Sequence, residues 1–331
     1  MFSEVDALFP LPYDAGMNPY EACRLCPREC GVDRTRVSAG GRAGVCGEGD
    51  RMRVAWVGPH FGEEPPITGE NGSGTVFFTG CPLRCVFCQN YQISHEGLGE
   101  VVSLEALVER VLLLEKEARV HNVNFVSPDP FFPSVFQVVE RLRLGGCHLP
   151  TIFNLSGYQS VDLIRQAEEA ADIYLPDFKY SDAGLAGRYA SCPDYPGTAL
   201  DAIGEMLRQK GPLDTIESGE ALARKGVLVR HLILPGHVEN SLDALSSLFV
   251  EFGAELPISL MSQYRPVSEQ LPGTLGRTLH QGEFDRVFAH VQELGFRRLF
   301  VQFPEEGRDG ADSAPFLPDF RKKQPFRGRQ E

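Results

Sequence analysis

No apolar run in the 331-residue sequence approaches the ~18 residues needed to span a bilayer. The opening stretch, with Glu4 and Asp6, lacks the positive charge of a secretory leader. Basic residues are scarce as well: 32 Lys plus Arg stand against 45 Asp plus Glu, a net charge of −13. Affinity for phosphate backbones comes mainly from Lys and Arg, so this balance speaks against general nucleic-acid binding, as the missing spans speak against a membrane protein. Internal repeats and low-complexity segments are not evident, and a cytoplasmic location is expected. What is there is ordinary for a soluble folded chain: 42% hydrophobic and 23% charged residues, in a length that suits about two domains or one α/β barrel with additions. One locally basic stretch, Arg321, Lys322 and Lys323 with Arg327 and Arg329, reads as a solvated tail.

Nine cysteines in a reducing compartment argue against a disulfide framework and direct attention to spacing. Cys23, Cys26, Cys30 and Cys46 form one group and Cys81, Cys85 and Cys88 a second. Cys147 and Cys192 stand alone and read as a small core residue and a loop thiol.

From residue 75 onward, short apolar runs alternate with longer amphipathic ones, the pattern of βα units around a parallel sheet. Strands are expected at 75–79, 122–126, 151–155, 173–178, 227–234 and 258–264, with 298–302 as a seventh, closing strand. Helices are expected at 103–119, where Ser103 would serve as N-cap, and at 134–144, 161–170, 199–209, 241–252 and 283–294. Six βα units suggest a partial (β/α)6 TIM-type barrel, with its chemistry at the carboxyl ends of the strands. The expected division is a Cys-rich metal-binding extension over 1–70, the barrel over 71–305 and a tail over 306–331.

Directly after the first expected strand, Gly80-Cys81-Pro82-Leu83-Arg84-Cys85-Val86-Phe87-Cys88 places three thiols at C-x3-C-x2-C. Soft thiolates select zinc, copper(I) or an iron-sulfur cluster. An iron-sulfur cluster normally takes four cysteines, so three leave one iron with a position for something else. A structural zinc that borrows His60 as fourth ligand, or three buried core thiols, is the plainer reading of the same residues.

The run CPLRCVFC, with Phe87 before its third cysteine, resembles the CxxxCxxC signature of radical S-adenosylmethionine (radical SAM) enzymes. The wider stretch 72–90, GSGTVFFTGCPLRCVFCQN, is similar to the pyruvate formate-lyase activating enzyme branch and especially to PflX-like iron-sulfur proteins. The similarity extends over most of residues 20–305. It implies a 4Fe-4S cluster on Cys81, Cys85 and Cys88 with S-adenosylmethionine (SAM) on the open iron, an electron donor such as a flavodoxin or ferredoxin, and reductive cleavage of SAM to a 5'-deoxyadenosyl radical. A glycyl-radical enzyme, a peptide or a small molecule would be the substrate. The rivals are a non-catalytic iron-sulfur electron-transfer protein and a zinc-binding interaction module.

The same resemblance guides the reading of the other strand ends. Ser127-Pro128-Asp129-Pro130 stands where these enzymes carry a Gly-Gly-Glu-like contact to the SAM amino group, so Ser127 or Asp129 is a candidate for that role, against a simple turn carboxylate. Asn154-Leu155-Ser156-Gly157 offers small polar groups to a ligand, unless Ser156 caps the following helix. Asp177 and Lys179, two apart on one strand, point to one face; the activating enzymes carry a similar D-x-K near SAM and substrate, and a structural ion pair is the alternative. Arg230 opens an R-x-x-x-x-P-G segment and is a candidate for the SAM carboxylate or the substrate, while His231 faces the other way as a core histidine. His60, Glu63 and Glu64 are a candidate acid/base group or a solvated loop. In the extension, C-x2-C-x3-C-x15-C over Cys23, Cys26, Cys30 and Cys46 is a metal signal for zinc or a second iron-sulfur cluster.

Overall fold

The computed structural model describes residues 18–38, 41–214, 222–268, 270–304 and 317–326; Glu4, Asp6, Arg327 and Arg329 lie outside the described residues. Among the described residues ten strands follow in chain order: β1 (Arg53–His60), β2 (Ser73–Phe78), β3 (Glu100–Val101), β4 (Val123–Val126), β5 (Thr151–Leu155), β6 (Ile173–Pro176), β7 (Gly226–Val227), β8 (Val229–Leu232), β9 (Ile258–Met261) and β10 (Leu299–Val301). The larger sheet runs β3-β1-β2-β4-β5-β6-β7 and the smaller β10-β9-β8. A single parallel bridge between Asp177 and Arg230 joins them, closed by the Phe178 N–H donating to the Arg230 carbonyl at 2.8 Å. β2 and β4 to β10 therefore form one parallel arc, with β1 and β3 outside it beyond β2.

The arc arises where the apolar runs predict it. β2 and β4 are buried at every position, as parallel strands covered on both faces must be. The helix Leu104–Ala118 starts where Ser103 accepts a hydrogen bond from the Ala106 N–H at 3.2 Å and ends on Arg119 in the left-handed region. Helices Phe132–Leu144 and Val238–Phe252 likewise turn their apolar stripes onto the sheet.

Several expectations change. The run 227–234 is two strands, broken at Leu228, whose N–H turns back to the Tyr174 carbonyl. β10 forms but, among the described residues, pairs with β9 alone, so it does not close the barrel. Ser156 does not cap the next helix; Ser160 does, accepting from the Leu163 N–H. β1 lies within 1–70 yet pairs antiparallel with both β2 and β3. Its burial shows no alternation, which is why periodicity does not mark it. The helix Ala183–Ala190 is also additional to those expected.

His231 is a satisfied core residue: Nδ1 donates to the Phe178 carbonyl at 2.6 Å and Nε2 lies 2.9 Å from the Ser241 hydroxyl. Burial pushes its imidazole down to about 4. In the unfolded chain an ordinary imidazole near 6.5 binds a proton that the folded one refuses, so stability falls as pH drops from about 6.5 toward 4, by up to about 3 kcal/mol. Urea unfolding of wild type and His231→Gln should show a steeper loss over that window for wild type; parallel curves would remove His231 as its source.

Candidate active site

The three thiols sit on a loop between β2 and the helical turn Tyr91–Ser94. Gly80 enters it at φ 86°, and a Cβ there would lie 2.9 Å from the Cys46 carbonyl oxygen, so only glycine lets the N-terminal segment approach this closely. Cys81 and Cys85 are buried and Cys88 half-buried. The Tyr180 hydroxyl donates to Cys85 Sγ at 3.5 Å and the Ser94 hydroxyl to Cys88 Sγ at 3.2 Å. Burial pushes the Cys85 thiol up to about 11 and raises Cys81 and Cys88 as well, so bare thiols here stay protonated and a metal is needed to hold them as thiolates. Among the described residues no three His, Cys, Asp or Glu side chains converge on a single ion. In a 4Fe-4S cubane each thiolate binds its own iron, so three sulfurs that line one space, two with hydroxyl donors, fit that group.

That space is a cavity of about 630 Å³ at the carboxyl ends of the strands. Phe87, Ser127, Asn154, Ser156, Asp177, Lys179 and Arg230 all line it with the cysteines, as do His60 and Glu63. Lys179 Nζ is bonded to Asp177. Burial opposes its charge, but Asp177, Cys85 and Cys88 outweigh that and hold the ammonium above its ordinary range. A cation is thus fixed beside two of the three sulfurs. Ser127 is a non-glycine residue at φ 52°, its N–H donating to the Asn154 carbonyl.

Two candidates are placed otherwise than the sequence suggests. Arg230 is engaged by carboxylates of its own chain: Nε donates to Glu64 at 2.9 Å and Nη2 to both Glu63 and Glu64, all three side chains about nine-tenths buried. Burial works against the guanidinium, yet Glu64 and Glu63 raise it further above its ordinary range. Glu63 and Glu64 of the HFGEEPP segment therefore form a buried ion triad with Arg230, while Phe61, Gly62 and Pro65 stay exposed; His60 packs edge-on against Phe77 and stands over Phe326, with its Nδ1 buried and unpartnered. Asp129 does not line the large cavity. It is buried behind the cysteine loop, accepts from Gln159 Nε2 at 2.6 Å, and burial pushes its carboxyl up to about 6.

Asp129 faces a second, small cavity lined by Cys23, Cys26, Cys30, Cys46, Arg34 and Pro82. Arg28, inside the same cysteine run, donates to the Pro82 carbonyl at 2.9 Å and to the carbonyls of Ala190 and Ser191. The N-terminal cysteines thus sit directly against the loop of Cys81, Cys85 and Cys88.

The mouth of the large cavity is covered by a feature the sequence analysis does not find. Residues 317–326 cross it as a strap: Phe326 contacts Trp56, His60 and Phe77, the Trp56 Nε1–H donates to the Lys323 carbonyl at 3.2 Å, and the Phe320 N–H donates to Gln92 at 2.7 Å. Arg321, Lys322 and Lys323 remain exposed as expected. The available signal is the pair Phe320 and Phe326 with Pro318 and Pro325, aromatic and rigid residues in a stretch otherwise resembling a polar tail.

A parallel α/β sheet with a thiol-lined cavity at its strand ends defines a class of proteins that work through a bound cofactor at that position. Residues 75–248, more than half of the chain, match the radical SAM superfamily, and the chain belongs to that superfamily, whose members use a 4Fe-4S cluster and SAM and generally need an electron donor. A curated relative, uncharacterized protein MJ0674 of Methanocaldococcus jannaschii, is 24% identical over 268 residues, covering 78% of this chain and 70% of that protein. Among solved structures the chain is similar to methylornithine synthase (PylB; TM-score 0.43, 16% identity, 69% of this chain and 63% of that one). It is also similar to the radical SAM methyltransferase TsrM of Kitasatospora setae, solved with tryptophan and a SAM analogue (TM-score 0.46, 10% identity, 70% and 54%). The chain spans less than two thirds of the length of either. Among the described residues no helix is long and apolar enough to cross a membrane.

Proposed function

We propose that the protein reductively cleaves SAM and abstracts a hydrogen atom from a substrate admitted past the strap, in the manner of the activating enzymes. The observation that carries this reading is one cavity lined at once by Cys81, Cys85 and Cys88, by the Asp177–Lys179 pair and by strand-end polar groups. Cys81, Cys85 and Cys88 would hold the cluster, which when bound and reduced supplies the electron that breaks the SAM sulfonium to give methionine and a 5'-deoxyadenosyl radical. Lys179 places positive charge beside Cys85 and Cys88, and Asp177 fixes its position. Ser127, Asn154 and Ser156 offer hydroxyl, amide and carbonyl groups to the amino-acid and ribose ends of SAM. The cavity is within the range that encloses a drug-sized ligand, and its rim of Trp56, Phe61 and Phe326 would receive an apolar portion of a glycyl-radical protein loop, a peptide or a small molecule. An electron carrier has no need of such a space.

Anaerobic reconstitution with iron and sulfide, followed by dithionite and SAM, should yield 5'-deoxyadenosine by liquid chromatography. A fully reconstituted, reduced protein that forms none, with candidate substrates present, would end this reading. Lys179→Ala should retain cluster iron and fold but lower the rate of cleavage about 10- to 100-fold, the usual cost of a residue supporting a metal centre. Unchanged turnover with lower thermal stability would reduce the pair to a structural salt bridge.

A further inference from the structure

We infer that Cys23, Cys26, Cys30 and Cys46 hold a second iron-sulfur cluster, fully ligated by cysteine and set against the loop of the first. The four thiols line one cavity together with Arg34, Pro82, Asp129 and Pro130. One group in that lining has an electrostatic need that an anionic centre would meet. Arg34 is 1% exposed, and among the described residues no carboxylate pairs with it. Its donors go to the carbonyls of Glu48, Gly49 and Pro130, and Nη1 lies 3.4 Å from Cys23 Sγ. A buried guanidinium is costly unless its charge is balanced; the buried Glu48 carboxylate acts on it without contact, and a thiolate-bound centre in the cavity it lines would add anionic charge directly beside it.

The arrangement of the sulfurs chooses between the two metals that the spacing allows. Four thiolates at ~2.3 Å from a zinc leave no room between them. Here, among the described residues, the sulfurs do not converge on one ion and instead line one shared cavity. A cubane, with each sulfur on its own iron, suits that arrangement. Four cysteines saturate it, so this cluster has no position for SAM. Pro82, which follows the ligand Cys81, lines the same space, and Cys26 and Cys30 are half-buried toward the exterior. That places the centre where a one-electron carrier can reach it and where it can pass the electron inward.

The placement beside the catalytic loop rests on the radical SAM reading, but the metal assignment is tested apart from it. The full-length chain with Cys81→Ala, Cys85→Ala and Cys88→Ala, reconstituted anaerobically, should retain about four irons and four sulfides. After reduction it should show an electron paramagnetic resonance signal that SAM leaves unchanged. Adding Cys26→Ser and Cys46→Ser should remove that iron. Wild type, which carries no folding risk from substitution, should bind about eight irons, with SAM perturbing only one of its two reduced signals. About one zinc and no iron in the triple variant, no metal at all, four irons in wild type, or a SAM-sensitive second signal would each overturn the inference. Eight irons without SAM cleavage would overturn the proposed function instead and leave the second cluster standing.

Discussion

Cys85→Ala should abolish formation of 5'-deoxyadenosine, a loss on the order of 100-fold or more, because supporting residues around a metal already account for 10- to 100-fold and a ligand contributes more than its supports. Cys85 is the most enclosed of the three loop ligands, with the Tyr180 hydroxyl on its sulfur and the Lys179 charge nearby. Its removal would expose a second iron to exchange and leave the Tyr180 donor unpartnered. Cys147→Ala is the matched control: that thiol is equally buried but lies outside the cavity, so its variant should cleave SAM at the wild-type rate. Activity in the Cys85 variant above a few per cent of wild type would show that the loop is not the catalytic ligand set.

Glu64→Ala should be strongly destabilising, although Glu64 itself stands behind Arg230 and Glu63 of the cavity wall. Glu64 carries two of the contacts to Arg230, and although burial alone would raise its carboxyl, Arg230 holds it below its ordinary value. Its removal leaves Arg230 with Glu63 as counter-charge but takes away two charge-assisted hydrogen bonds inside a buried site, at about 1.5–3 kcal/mol each. A domain's stability is only about 5–15 kcal/mol in total, so a fall in melting temperature on the order of 10 °C is expected. Differential scanning calorimetry of wild type, Glu64→Ala and Glu64→Gln decides it. A fall of a degree or two in the Ala variant would mean that water or Glu63 alone satisfies Arg230. The consequence reaches the active site, since Arg230 is bridged to Asp177 and Asp177 holds Lys179.

What the sequence reveals and what it conceals divide along a physical line. Local order is legible: the apolar runs of β4 and β5, the Ser103 cap and the same-face pair Asp177 and Lys179 all follow from the period of a helix or strand. The cysteine loop is legible because its chemistry demands thiols at close spacing. Relations across long separations are not. Glu64 and Arg230 are 166 residues apart, and nothing near either names the other, so a buried triad reads as a solvated loop beside a free cation. Asp129 looks like a strand-end ligand by position, but the chain turns it behind the loop toward Cys26 and away from the large cavity. β1 escapes because its register comes from two neighbouring strands and not from an alternating pattern of its own. The strap escapes because two phenylalanines in a polar stretch carry no period at all.

The strap also gives the molecule an optical property. Trp56 is the only tryptophan in the sequence, and it stands at the cavity mouth with its indole N–H on the Lys323 carbonyl and its ring against Phe326 and Phe77. All indole fluorescence of the protein therefore originates at one place, the junction of strap and rim, and its wavelength and quenching follow how that junction is packed and hydrated.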